Sequence, residues 1–140
     1  MRLARESRYA VRALIVLARY AQGRMVDAKR IAAEAGLPVA FLHKILRQLT
    51  VAGVVESRRG SGYTLARPPA AISMGDVIAA IEGPDALGGR CIFWREECSA
   101  DDPCELHFRW QELKPAIEGT LARTTLAEVI EADGLPAGAA

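Results

Sequence analysis

The sequence predicts a mainly α-helical fold with one short β-hairpin near its middle and a long helix towards its C-terminal end. Apolar residues recur at the spacing of one helical face in several separate segments, which indicates amphipathic helices. Residues 54–65 instead form two short extended stretches around a glycine-rich turn, which is typical of a hairpin. With 140 residues, 51% of them hydrophobic, the chain is long enough for one domain with an appended element.

Three helices are predicted before the hairpin. The first extends from Tyr9 to Tyr20. The second begins after Asp27, a favourable N-cap, and ends at Gly36, a residue type that commonly terminates helices. The third ends at Gly53, and its core-facing residues are all apolar: Leu42, Ile45, Leu46 and Leu49. The residues expected on its outward face include several cationic side chains: Ala40, His43, Lys44, Arg47 and Gln48.

The hairpin directly follows this helix pair, with strands at residues 54–57 and 63–65 and a turn between them. Two short helices joined by a glycine-containing turn and followed by a hairpin form a winged helix-turn-helix, whose second helix enters the DNA major groove. Glycines let the turn approach the DNA backbone closely, and Arg58 and Arg59 supply positive charge. The candidate DNA-contacting residues are therefore on the third helix and the turn: Ala40, His43, Lys44, Arg47, Arg58, Arg59, Ser61 and Gly62.

The second half of the chain begins with a fourth helix, predicted from Ser73 to Gly83. About twenty residues without sustained periodicity follow, and so long an irregular loop usually has a functional reason. A long amphipathic helix then starts near Pro103, contains Pro115 as a potential kink, and precedes a short helix at residues 125–133. The apolar stripe of the long helix consists of Leu106, Trp110, Leu113, Ile117 and Leu121. This stripe suits pairing with a second copy in a homodimer, or packing back onto the first and fourth helices.

Charge is distributed unevenly along the chain. Residues 1–67 contain 13 Lys/Arg and 4 Asp/Glu, a net charge of +9, whereas residues 68–140 contain 5 and 13, a net charge of −8. The basic half suits a phosphate backbone, although two segregated solvated faces would give the same pattern. The apolar stretch at residues 10–21 is short and interrupted by arginines, so we expect no signal peptide, no membrane anchor and a cytoplasmic location.

An enzyme is not expected, because the sequence has only two histidines, no glycine-rich phosphate loop and no evident pairing of a nucleophile with a base. We also expect no small-molecule substrate.

All three cysteines and one of the two histidines fall within seventeen residues: Cys91, Cys98, Cys104 and His107. In a reducing compartment, crowded thiols in odd number suggest a metal or redox site more than a disulfide framework. On a helix starting near Pro103, Cys104 and His107 would share one face. Thiolates and imidazole suit zinc, copper or an iron-sulfur cluster, and the spacing alone does not choose among them. A thiol-disulfide switch and an unliganded cysteine trio are the other possibilities.

Several segments together resemble the IscR/NsrR/RirA superfamily of winged-helix regulators. They are MRLARESRYAVRAL, FLHKILRQLTVAGVVESRRGSGYTLARPP and ISMGDVIAAIEG, followed by the three cysteines. The resemblance covers residues 1 to about 130. It implies a homodimer joined by the long C-terminal helix, an iron-sulfur cluster near each end of the dimer, and DNA half-sites read by both subunits.

Within that superfamily, the IscR-like branch ligates a 2Fe-2S cluster through three cysteines and a histidine three positions after the last, the place of His107. Other branches use an acidic fourth ligand near position 8, where this chain has Arg8, with Glu6 close by. A 4Fe-4S cluster is the alternative cluster type. The sequence departs from the IscR-like pattern at two places. His43 stands where IscR-like proteins carry a glutamate that discriminates between two classes of DNA site. The gap between Cys91 and Cys98 is one residue longer than in similar sequences.

The sequence thus predicts a transcription regulator, expected to be a repressor, that binds a double-stranded DNA operator under control of a cluster sensing redox state, nitric oxide or iron supply. Its predicted parts are a winged helix-turn-helix at residues 1–83, a cluster-binding loop at 84–104, the dimerisation and short helices at 105–133, and a flexible tail at 134–140. The alternatives are a thiol- or zinc-dependent regulator, or an iron-sulfur carrier whose basic half docks on an acidic partner.

Overall fold

The computed structural model describes residues 4–86, 91, 93 and 95–133, and the predicted tail at 134–140 lies outside this part of the chain. The elements confirm a mainly α-helical protein with one hairpin. Their bounds are α1 Arg5–Ala18, α2 Ala28–Ala35, α3 Val39–Val51, β1 Val55–Arg58, β2 Gly62–Leu65, a short 3₁₀ helix Pro69–Ala71, α4 Met74–Glu82, α5 His107–Arg123 and α6 Leu126–Ala132.

Helix ends coincide with the capping signals in the sequence. The Asp27 side chain accepts a hydrogen bond of 2.9 Å from the Arg30 amide, and Gly36 closes α2 with a φ of +67°. Ser73 begins α4 and Thr125 begins α6, each through a reciprocal capping box with the acidic residue three positions later. Helices α1, α3 and α5 begin without a side-chain cap, and α1 starts four residues before the predicted Tyr9.

The core is organised around α1, whose Ala10, Ala13 and Leu14 are fully buried. Helices α2, α3, α4 and α6 and strand β2 all pack against this helix. The predicted inward face of α3 is confirmed, since its four apolar residues are buried. Gln48, predicted on the outward face, is half-buried instead, because its amide nitrogen lies 3.5 Å from the Ile81 carbonyl oxygen of α4.

The hairpin is antiparallel and pairs Val55 with Leu65 and Arg58 with Gly62, so Arg58 belongs to β1 rather than to the predicted turn. A third segment joins it: the Val26 amide donates to the Tyr63 carbonyl at 2.9 Å, and the Tyr63 amide donates to the Val26 carbonyl at 2.8 Å. Val26 directly precedes the N-cap of α2. The wing is therefore tied to the start of the helix-turn-helix through the backbone.

Helix α5 begins at His107, four residues later than predicted. Leu106 has a φ of −103° and a ψ of 2°, which lies outside the helical region, and the His107 amide donates to the Cys104 carbonyl at 3.0 Å in a turn. The prediction that Cys104 is part of this helix is therefore wrong. The helix continues through Pro115. Neither α5 nor any other helix in the described residues combines the length and apolar character needed to cross a membrane.

Gly62 is the position where this arrangement is most sensitive to substitution. Its φ is +117°, and a Cβ there would meet the Val26 carbonyl oxygen and lie 2.8 Å from the Asp27 nitrogen. We expect Gly62→Ala to reduce the unfolding free energy by at least about 1 kcal/mol more than Gly60→Ala. Gly60 is a matched control because its φ is also positive, at +79°, and a Cβ added there would have no neighbouring atom within 4 Å. Chemical denaturation of both variants checks this, and equal losses would contradict the close contact with Val26.

Candidate DNA interface and metal centre

The predicted DNA-contacting residues of α3 lie on one exposed face of the helix. Ala40, His43, Lys44 and Arg47 are all solvent-exposed, on the side opposite the buried leucines. In the wing, Arg58, Arg59 and Ser61 are exposed as well, whereas Gly62 is half-buried against the Val26 backbone. Gly62 therefore has a packing role that was not predicted from the sequence.

A groove of about 380 Å³ lies between α3 and the wing. His43 lines it from the helix, Asp27 and Ala28 line it from the start of α2, and residues 57–63 line it from the hairpin. His43 of the predicted helix residues thus meets the predicted wing residues in this groove. Lys44 and Arg47 belong to the exposed face of α3 but do not line this groove.

Three side chains of α1 support the turn that leads into α3 and the first turn of α3 itself. The Arg12 guanidinium donates hydrogen bonds to the carbonyls of Ala35 and Gly36 at the C-terminal end of α2, where a cation is electrostatically favourable. The Arg5 guanidinium lies 5.1 Å from the Phe41 ring centroid, and the Tyr9 ring packs edge-on against Phe41 at 6.4 Å. These contacts hold the first turn of α3 against α1.

A second polar cluster joins the end of α1 to α2. The Tyr20 hydroxyl donates to the Glu34 carboxylate, which also pairs with Arg30 at 3.4 Å and with Arg19 at 3.9 Å. The hydrogen bond to Glu34, together with burial and the negative charge of that carboxylate, raises the pKa of Tyr20 above its usual value. Tyr20 therefore remains a neutral donor, and Glu34 has a fixed partner on each helix.

The four predicted metal ligands come together in two pairs. The sulfurs of Cys91 and Cys104 are 3.8 Å apart, and the Cys98 sulfur lies 3.4 Å from Nδ1 of His107. Cys104 and His107 are buried, whereas Cys91 and Cys98 are partly exposed. The site is therefore anchored at the start of α5 and closed by the loop on its outer side.

The pairs do not converge on a single point. Within the described residues, no group of three or more His, Cys, Asp or Glu side chains is arranged to hold one metal ion, and this includes Glu6. Two thiolates on one tetrahedral metal, with bonds of about 2.3 Å, lie about 3.8 Å apart. Each pair thus has the separation of two ligands on one metal, whereas a set of three or more such ligands around one ion is absent from the described residues. Three thiols and one imidazole are donors that suit an iron-sulfur cluster as well as zinc.

Gln111 is a residue near this site that was not predicted from the sequence. It lies one turn after His107 on α5, and its amide nitrogen donates to the Cys98 sulfur at 3.2 Å. The Phe93 amide donates similarly to Cys91 at 3.4 Å. Hydrogen bonds of this kind orient a sulfur atom that acts as a metal ligand. The i, i+4 spacing of His107 and Gln111 was the available signal in the sequence.

The last turn of α4 connects this site to the DNA-binding surface. Glu82 accepts hydrogen bonds from the Ser7 hydroxyl and, at 3.4 Å, from the Ala4 amide at the start of α1. In the same turn, the Ile81 carbonyl lies beside the Gln48 side chain of α3. The loop bearing Cys91 and Cys98 leaves α4 immediately after these residues. Its anchoring point is thus in contact with both α1 and the recognition helix α3.

A recognition helix with an exposed basic face, a wing beside it and a buried supporting helix together define a winged-helix DNA-binding protein. The Rrf2 family, described as iron-dependent transcriptional regulators, matches residues 3–132, and the chain belongs to this family. Membership agrees with the superfamily resemblance and with the prediction of a transcription regulator rather than an enzyme.

Individual relatives support the same assignment. The HTH-type transcriptional regulator IscR of Yersinia enterocolitica is 35% identical over 133 residues, which cover 93% of this chain and 79% of the relative. The structure of CymR, the global cysteine regulator of B. subtilis, is similar with a TM-score of 0.75 and 27% identity, covering 94% of this chain and 97% of CymR. T. potens IscR has a TM-score of 0.72 and 29% identity, covering 95% and 88%.

The separation of the cysteines predicts which disulfide forms when no metal is bound. Oxidation of the metal-free protein should join Cys91 to Cys104, because their sulfurs are already 3.8 Å apart while Cys98 faces His107. Mass-spectrometric mapping of unreduced peptides checks this. A Cys98→Ser variant is the control and should form the same link. A dominant disulfide containing Cys98 would contradict the pairing.

Proposed function

We propose that this protein is a cytoplasmic, homodimeric repressor whose affinity for a double-stranded DNA operator is controlled by a 2Fe-2S cluster bound to Cys91, Cys98, Cys104 and His107. The arrangement of these four side chains in two pairs carries the proposal. A cytoplasmic location follows from the need to keep three thiols reduced. The proposed signal is redox state, nitric oxide or iron supply, and no small-molecule substrate is involved.

The two-pair arrangement favours a cluster over a single zinc ion. Cys91 and Cys104 would bind one iron, and Cys98 and His107 the other, across separations of 3.8 and 3.4 Å. When bound, the cluster would supply a redox-active centre, and a histidine ligand generally raises its reduction potential. The chain contributes the buried ends of the site, and Gln111 orients Cys98 by its hydrogen bond.

The homodimer is supported by the surface of α5. Only His107 and Trp110 are buried among the residues of this helix, whereas Phe108 is 66% exposed and Leu113 is 53% exposed. The predicted stripe is thus left partly open in the single chain. A second copy related by a two-fold axis would cover it and place two recognition helices on one DNA face.

Coupling between the metal site and the DNA-binding surface would run through the end of α4. Losing the cluster would release Cys91 and Cys98 from the start of α5 and free the loop that leaves Glu82. Because Glu82 and Ile81 contact α1 and α3, a shift there would change the angle between the two recognition helices of the dimer. Half-site spacing must match the DNA repeat, so a small rotation would change affinity.

The DNA-contacting residues are tested by salt dependence. Lys44→Ala and Arg59→Ala should each lower operator affinity and reduce the slope of log affinity against log salt by about 1, since each variant neutralises one phosphate fewer. Fluorescence anisotropy titrations at several salt concentrations measure both quantities. Lys114→Ala is the matched control, because Lys114 lies on α5 beside Glu118 and should leave the slope unchanged. Unchanged slopes in both test variants would rule out these contacts.

The ligand assignment is tested by the visible spectrum of anaerobically purified protein, with its iron and sulfide content. Cys98→Ala should abolish the absorption of the cluster, and His107→Ala should keep it but lose it faster in the presence of a chelator. His43→Ala replaces the other histidine and should leave the spectrum unchanged. Parental absorption in Cys98→Ala, or a colourless parent binding one zinc, would overturn the assignment.

A second candidate function is a thiol switch without metal, which the 3.8 Å separation of the Cys91 and Cys104 sulfurs favours. A disulfide needs them about 2.05 Å apart, a movement of less than about 2 Å. The similar Staphylococcus aureus CymR has been solved in an oxidised form. Operator binding that responds to peroxide in iron-free protein, and is lost in Cys91→Ser, would support this function. Operator binding that responds to peroxide only in the iron-loaded protein would support the cluster as the sensor.

A further inference from the structure

The first turn of α3 exposes apolar side chains ahead of the cationic residues of the same helix. Val39 is 37% exposed, Phe41 is 41% exposed and Ala40 is also exposed, while the N-cap Pro38 makes no side-chain hydrogen bond. The first outward polar side chain is His43, a full turn into the helix.

Phe41 has an internal role, whereas its two neighbours do not. The Phe41 ring contacts Tyr9 and the Arg5 guanidinium, so its exposed edge belongs to a side chain already packed on α1. Val39 and Ala40 lie outside the buried core that the described residues form. Val39 therefore keeps more than a third of its apolar surface open to solvent, where a partner could bury it.

The surroundings of this apolar patch indicate its partner. Lys44 and Arg47 are exposed further along the same helix, and Arg58 and Arg59 are exposed on the wing, so the patch begins a helix face that continues into cationic residues. Such a face suits the phosphates of a duplex, and the first turn of a recognition helix is the part that approaches the base edges. The apolar group that DNA presents in the major groove is the C5 methyl of thymine.

We propose that Val39 and Ala40 recognise thymine in each half-site through its C5 methyl group. This inference rests on the proposed operator binding and specifies what the operator contains. Neither side chain can donate or accept a hydrogen bond, so the first turn of α3 contributes to base recognition by contact with methyl groups. Hydrogen-bonded base recognition then falls to His43 and the cationic residues that follow.

The experiment starts from an operator selected from random duplexes with the purified full-length protein. Each thymine of a half-site is replaced in turn by deoxyuridine, which removes the methyl group and leaves the pairing edge unchanged. At one or two positions, affinity should fall about fourfold, the effect of burying roughly one methyl group. Placing 5-methylcytosine at the same positions in cytosine-substituted operators should recover part of the lost affinity.

Variants connect the effect to the helix. Val39→Ala should remove most of the deoxyuridine penalty at one position, because the methyl group then has less to contact. Val51→Ala is the matched control at the opposite end of α3, where Val51 is 84% exposed, and it should retain the full penalty. Circular dichroism of Val39→Ala establishes that the helix remains folded.

The outcomes separate this inference from the proposed function. A selected operator without a deoxyuridine-sensitive position, or a penalty unchanged in Val39→Ala, would overturn thymine recognition and leave operator binding intact. A selection that yields no preferred sequence would overturn the proposed function, and the inference with it. A loss of affinity on deoxyuridine substitution that disappears in Val39→Ala and remains in Val51→Ala would support both thymine recognition and operator binding.

Discussion

The close packing of the other elements onto α1 is the constraint on which the structure depends. Ala10 and Ala13 leave room for neighbouring helices to approach, and Leu14 and Leu17 fill the space between them. Because α2, α3, α4, α6 and β2 share this one surface, moving any of them disturbs the others. The recognition helix therefore has a position defined from several sides, which a surface that must match DNA requires.

Polar contacts add direction to this apolar packing. Arg12 closes the end of α2, Glu34 joins α2 to Tyr20, and the backbone of Val26 holds the wing against the start of α2. Apolar burial alone is non-directional, whereas these hydrogen bonds fix how helix and wing are oriented. The same reasoning applies to Glu82, whose carboxylate supplies the cap that α1 lacks in its own sequence.

The candidate metal centre is built differently, because two of its residues lie buried at the start of α5 and two lie in the loop before it. Cys104 and His107 are buried at the start of α5, while Cys91 and Cys98 come from an irregular segment with a partly exposed surface. A ligand bound by all four residues would tie the loop to the start of α5. Loss of that ligand would change the end of α4, where the loop begins. Under the proposed function, this division would let a small site act on a distant DNA surface without catalysis.

The sequence by itself determined the features that depend on local interactions: the caps at Asp27, Ser73 and Thr125, the inward face of α3 and the existence of the wing. Such signals act within a few residues, so the local sequence is sufficient to predict them. Only the tertiary structure decided the pairing of the ligand residues, the contact of Gln111 with Cys98, the late start of α5 and the packing role of Gly62. These depend on groups distant in sequence, whose relative positions are set by the folded chain as a whole.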